Sequence, residues 1–148
     1  VDCQCLLLGV TQILPFDMIV ASTLSKFGLV FVRVGIVPEL ASSHFLIQRV
    51  GWGKAHDLLL TARPVSGEEA VSLGLADRLS EPETLLDDAL ELAGQMAANP
   101  SPMLRMTKQL LSANGCDTDT SRIQAREHEQ HVPGLLDRHR FRLDLGWI

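Results

Sequence analysis

The sequence predicts a mixed α/β chain, alternating short strands and helices at its beginning and mostly helical afterwards. Three observations predict it. Apolar, β-branched runs too short for long helices fill the first forty residues. From Ser66 onward, start and stop signals bracket apolar residues at helical spacing. Apolar residues make up 46% and charged residues 21%, which places the chain among globular rather than disordered sequences.

In chain order, Leu6 to Leu14 is apolar with Gly9, Thr11 and Gln12 interspersed and Pro15 closing it, so a short helix starting near Gly9 is expected. Asp17 to Ser22 reads as a short buried strand and Thr23 to Lys26 as a turn. Ala41 to Val50 fits a helix stopped by Gly51, and Gly53 to Thr61 another. Ser66-Gly67-Glu68-Glu69 is a capping box, with the Ser66 hydroxyl on the Glu69 N–H and the Glu69 side chain reaching back; Gly74 stops that helix. Leu75 to Leu79 is a short extended piece. Pro82 suits a first helical position, and Leu85, Ala89, Leu92 and Met96 make Glu83 to Ala98 an amphipathic helix. Ser101 as N-cap opens the next, with Met103, Met106, Leu110 and Asn114 on one face. Thr118 to His131 reads as a polar helix, and residues 132–148 have no assignable pattern. A single domain is expected over 1–148, with a first portion over 1–40, a helical portion over 41–131 and an unassigned tail.

The stretch Lys26 to Val50, KFGLVFVRVGIVPELASSHFLIQRV, carries the main candidate for chemistry. Its apolar run has an ambiguous period, turns at Gly35-Ile36-Val37-Pro38, and presents one carboxylate, Glu39, before an apolar helix. Flanked by Pro38, Val37 and Leu40, Glu39 has few water-facing sequence neighbours, which would suit a general base. The competing reading is electrostatic, since acidic side chains favour helix starts whatever their chemistry.

The net charge of −5, with acidic residues gathered between Glu81 and Glu91 and no basic stripe, argues against a nucleic-acid surface. Cys3, Cys5 and Cys116 are an odd set, and the first two are too close to staple a fold, so a reducing, cytoplasmic setting is expected. The run Cys5 to Val10 is too short to span a bilayer, and the run from Phe27 is broken by Arg33. A chain opening on VDCQC without Met is expected to be processed or part of a longer one. His128 and His131 stand three apart on the polar helix, a spacing open to metal ligation but also to a solvated face, and no motif places a third ligand. Trp52 and Trp147 lack interleaved basic residues. Ser42-Ser43-His44 implies no triad, because sequence neighbours on a helix point apart.

Three phrases in order, LPFDMIVAS, KFGLVFVRVGIVPE and RVGWGKAHDLLLTARPVSGEEAVSLGLADRL, resemble the enoyl-CoA hydratase/isomerase (crotonase) family over roughly Gly9 to Asn114. The resemblance implies the second half of a spiral of ββα turns followed by a helical C-terminal region, and a homo-oligomer, trimer or hexamer in the family. It implies an acyl-CoA thioester as substrate, with no cofactor beyond the coenzyme A the substrate carries. The family's shared chemistry holds a thioester enolate with two backbone N–H groups; by alignment the second falls at Leu8 or Gly9, while the first lies in a segment this sequence does not contain. A tight helix start needing glycine would also explain Gly9.

Where two-carboxylate hydratases of the family place their glutamates, this chain has Thr11 and Phe31. Neither can transfer a proton near neutral pH. Glu39 matches the position after the GxxP turn where the isomerases of the peroxisomal type, which move an enoyl-CoA double bond, carry a single catalytic glutamate. The resemblance also sets Thr11, Phe31, Val34 and Leu40 along the substrate. The chain departs from the family at Cys3 to Leu8, which is not glycine-rich, and at the closing RHRFRLDLGWI. Two readings follow: an acyl-CoA enzyme isomerising a double bond through Glu39, or a noncatalytic remnant acting through assembly.

Overall fold

A computed structural model describes residues 4–115 together with 119, 122, 125 and 126. The chain divides into two compact units, one of residues 1–91 and one from residue 92 onward. The polar helix expected over Thr118 to His131 lies largely outside the described residues, as do Cys3, Cys116, His128, His131, Trp147 and the closing segment.

The first unit is built on two small sheets. Strand β1 (Gln4–Leu6) leads into helix α1 (Leu8–Ile13), then β2 (Val20–Ser22) and β3 (Lys26–Gly28). A 3-10 segment, Phe31–Val34, resolves the ambiguous apolar run: its first residues belong to β3 and its last form this single turn. Helices α2 (Ser42–Val50) and α3 (Trp52–Thr61) follow, then β4 (Pro64–Ser66), α4 (Gly67–Leu73) and β5 (Arg78–Ser80). β3 is central to one sheet, parallel to β1 and antiparallel to β4, with Phe27 opposite Cys5 and Val65. The other sheet pairs β2 with β5 in parallel, Ala21 opposite Leu79. Parallel partners need a crossover between them, and α1 supplies the one from β1 to β3.

The core runs through both sheets and the helices. Val10 and Leu14 of α1 and its C-cap, Phe27 of β3, Phe31, Leu46 and Val50 of α2, Ala55 and Leu58 of α3, and Ala70 of α4 all bury in one cluster. The spacings of three and four within α1, α2 and α3 are those of a helix turning one face inward. Gly67 is where α4 meets β2: a Cβ there would stand 2.1 Å from the Ser22 carbonyl oxygen, so only glycine allows this approach.

Several expectations need correction. The portion 41–131 is not simply helical, since β4 and β5 lie in it and hold to β3 and β2. The Ser66 hydroxyl does accept the Glu69 N–H at 3.2 Å, but the Glu69 carboxylate turns away to Arg63 at 2.6 Å. It is the Glu68 carboxylate that is held below its ordinary range, by its own backbone N–H first and the Ser66 hydroxyl second. Arg63 in turn is held above its ordinary range, by Glu69 and then Asp57.

Helix α5 (Leu85–Ala97) starts later than Pro82 because residues 82–84 form a turn, closed by the Thr84 N–H on the Glu81 carbonyl at 3.2 Å. In the second unit, α6 (Ser101–Asn114) takes Pro100 as its N-cap, so Ser101 is already helical and caps nothing. Its expected inner face is observed: Met103, Met106, Leu110 and Asn114 are half-buried. No helix among the described residues is long and apolar enough to cross a membrane.

Candidate active site

The start of α1 is held by a compact set of backbone bonds. The Leu7 N–H donates to the Gly28 carbonyl at 3.0 Å, which pins the turn to β3. The Val10 and Thr11 N–H groups both donate to the Leu7 carbonyl at 3.1 Å, and the Thr11 hydroxyl donates to the Leu8 carbonyl at 3.0 Å. The N–H groups of Leu8 and Gly9 find no acceptor among the described residues, as expected in a first helical turn. They are therefore available to an external oxygen. Leu8 is exposed and Gly9 half-buried.

A Cβ on Gly9 would meet Cys5 at 3.7 Å and nothing closer. Packing among the described residues therefore does not require glycine, and the steric explanation for Gly9 loses its force.

Thr11 and Phe31 are buried in the core, Thr11 with its hydroxyl spent on Leu8. Their side chains reach no solvent-facing surface of the unit. Val34 and Leu40 are different: they are exposed by 55% and 58%, and with Ile36 and Val37 they form a run of uncovered apolar residues leading to and past Glu39.

Glu39 itself is exposed, and the sequence-based expectation of a desolvated carboxylate is not met within this chain. Its neighbours in sequence are apolar but point outward, Val37 by 78%, so they do not shield it. No side-chain partner for Glu39 occurs among the described residues; its carbonyl accepts the Ser42 N–H at 3.0 Å, leading into α2. The Gly35 turn before it takes the left-handed conformation, φ 75°, with the Ile36 N–H closing onto the Phe31 carbonyl at 3.1 Å. Ile19 is buried, while Val32, in the 3-10 turn, is exposed.

Sequence reasoning missed the backbone. Among the described residues, four non-glycine residues have positive φ: Leu7 (47°), Leu40 (53°), Ala41 (55°) and Ala62 (50°). Such conformations cost on the order of 1–3 kcal/mol each and persist only where surrounding structure imposes them. Leu7 immediately precedes Leu8 and Gly9, and Leu40 and Ala41 immediately follow Glu39. Three of the four strained residues thus flank the two candidate turns. Nothing in composition signals this, because leucine and alanine carry no preference for that region.

Among the described residues no group of three or more His, Cys, Asp or Glu side chains is placed to hold a metal ion.

Comparison with known proteins gives a consistent picture. Residues 8–136 match the family model for enoyl-CoA hydratase/isomerase. A short-chain-enoyl-CoA hydratase of Clostridium acetobutylicum is 32% identical over 106 residues, covering 71% of this chain and 41% of the relative. A 1,2-epoxyphenylacetyl-CoA isomerase of Escherichia coli is 27% identical over 126 residues, covering 85% and 48%. The crystal structure of a Thermobifida fusca protein described as an enoyl-CoA hydratase, in complex with acetoacetyl-CoA, superposes with a TM-score of 0.87 at 28% identity, over 90% of this chain and 52% of that one. The chain spans about half the length of these proteins.

Proposed function

Since the chain belongs to the enoyl-CoA hydratase/isomerase family and has its crotonase fold, we propose that the protein acts on acyl-CoA thioesters and moves a double bond, with Glu39 as its single acid/base. Glu39 removes a proton from the α-carbon of a 3-enoyl-CoA. The electron pair spreads over the thioester oxygen and the γ-carbon, and the N–H of Leu8 or Gly9 donates to that oxygen. The protonated Glu39 returns the proton to the γ-carbon, leaving the double bond between the α- and β-carbons. No atom is gained or lost, and the only coenzyme required is the one the substrate carries.

The observation that carries the reading is the placement of strain. Backbone strain gathers where structure is committed to function, and here three of the four strained residues among those described adjoin the candidate turns, Leu7 just before Leu8 and Gly9, Leu40 and Ala41 just after Glu39. The acid inventory agrees: Glu39 is the only carboxylate between Asp17 and Asp57, and Thr11 and Phe31 offer no proton. A backbone donor of this kind contributes on the order of 3 kcal/mol to the transition state. The exposed run of Val34, Ile36, Val37 and Leu40 supplies an apolar surface for an acyl chain or for further protein, either of which would dehydrate Glu39 when laid over it. A homo-oligomer is one source of such cover.

The test offers the full-length protein a 3-enoyl-CoA and, separately, a 2-enoyl-CoA. Conversion of the first to the conjugated isomer, without hydration of the second, is expected. Efficient hydration would show that another pair of acids works in the site and would overturn the single-base mechanism.

A further inference from the structure

We propose that Arg49 is a positioning residue that keeps the two turns of the candidate site in register, a proposal that rests on the reading of those turns given above. Arg49 lies in the last turn of α2. Its Nε donates to the carbonyl of Leu14 at 2.9 Å, one terminal nitrogen donates to the carbonyl of Phe16, and the other donates to Asp77 Oδ2 at 3.2 Å. The same Asp77 oxygen accepts the Ile19 N–H at 2.6 Å, and the Asp77 N–H donates to the Ile19 carbonyl at 2.8 Å. One guanidinium therefore binds the end of α1, the segment entering β2 and the loop before β5. The Arg49 side chain is only 12% exposed; its bond to Leu14 is partly buried, while the arms to Phe16 and Asp77 lie nearer water. Arginine's planar fork suits three acceptors at once; a lysine ammonium is a single point.

The geometry gives this clamp its reach. Leu8 and Gly9 are at the start of α1 and Leu14 is its C-cap; Glu39 precedes the start of α2 and Arg49 is near its end. Arg49 joins the far ends of the two helices whose near ends carry the candidate chemistry. At 1.5 Å per residue, α2 is a lever of about 13 Å, so a 10° swing about its clamped end would carry its start through about 2 Å. Catalytic groups tolerate about 0.5 Å, and a displacement of 1 Å can cost on the order of a hundredfold in rate. A loosened clamp would therefore be felt at Glu39 and at the Leu8 and Gly9 donors before it unfolded either helix.

The experiment is Arg49→Lys in the full-length protein, read in two ways. Turnover per folded molecule should fall by ten- to a hundredfold while the dissociation constant for an acyl-CoA changes by less than about twofold. Amide exchange should speed up at Val10, Thr11 and Leu14, whose N–H groups hold α1, while Ala55 and Ala62 in α3 and its cap keep their protection. Unchanged turnover, or protection lost evenly through α1 and α3, would overturn the proposal and leave Arg49 a stability residue. Should Arg49→Lys fail to fold, Asp77→Asn removes the charge that strengthens one arm of the fork and should give the same local pattern at smaller amplitude; an even loss there overturns it equally. If the unaltered protein does not isomerise enoyl-CoA, the function proposed above fails, while the exchange pattern still decides whether Arg49 holds α1.

Discussion

Replacing Glu39 by glutamine tests the proposed chemistry with little structural disturbance. Among the described residues the Glu39 carboxylate has no hydrogen-bond or ion-pair partner, and its one link to α2 is the backbone bond from the Ser42 N–H, which glutamine retains. The remaining structural cost is the favourable effect of a negative charge ahead of a helix, about 0.3–1 kcal/mol. A protein stable by ~5 kcal/mol that lost ~1 kcal/mol would still be more than ~99% folded, so stability alone cannot lower turnover visibly. Loss of a positioned acid/base instead costs at least about a hundredfold, or ~2.7 kcal/mol of barrier. Steady-state isomerisation, acyl-CoA binding and thermal unfolding measured on the same full-length variant separate the two effects. Turnover should fall by at least about two orders of magnitude at nearly constant affinity. Normal turnover with slightly lowered stability would show that Glu39 serves only the helix and would refute the catalytic assignment.

Three further substitutions test the packing and capping of the fold. Gly67→Ala places a methyl 2.1 Å from the Ser22 carbonyl oxygen, a backbone atom that cannot step aside, so its cost should exceed the ~1–3 kcal/mol usual for overpacking; Gly94→Ala in α5 meets nothing within 4 Å and should stabilise by about 0.4–1 kcal/mol, with chemical denaturation reading both. Ser66→Ala removes the cap on Glu69, costing ~1 kcal/mol at any pH, and also the hydroxyl that helps hold the Glu68 carboxylate below its unfolded value of 4.5. A depressed carboxylate stabilises the fold above the unfolded value and loses that contribution as pH falls through the lower folded value. Denaturation of Ser66→Ala should therefore show a larger deficit at pH 7 than in acid well below 4.5; an equal deficit at both would mean that Ser66 acts on Glu69 alone.

What was legible in the sequence is what neighbouring residues decide among themselves. The inward face of α6 follows from spacing alone, and so does the Ser66 bond to the Glu69 N–H, because both depend on groups within one or two helical turns. The return half of that capping box failed for a tertiary reason: Arg63 offers the Glu69 carboxylate a charged donor at 2.6 Å, a better partner than a neutral backbone N–H. β4 was missed because three residues have no readable period, and β5 was expected slightly early, within the extended Leu75 to Leu79; their partners in β3 and β2 make them strands.

The candidate site shows the same division more sharply. Its residue types were legible by resemblance, but the exposure of Glu39 was not, since sequence neighbours such as Val37 need not be spatial neighbours. Least legible of all were the left-handed conformations of Leu7, Leu40 and Ala41, where local preference points the other way and the surrounding fold must prevail. A chain whose local grammar agrees with its fold along most helices, yet disagrees just before one candidate turn and just after the other, is bearing strain there that packing elsewhere must offset. Disagreement of that kind is expected where geometry is held for chemistry rather than for stability. That Arg49 ties together the far ends of the two helices behind those turns gives the strain a rigid frame to act against.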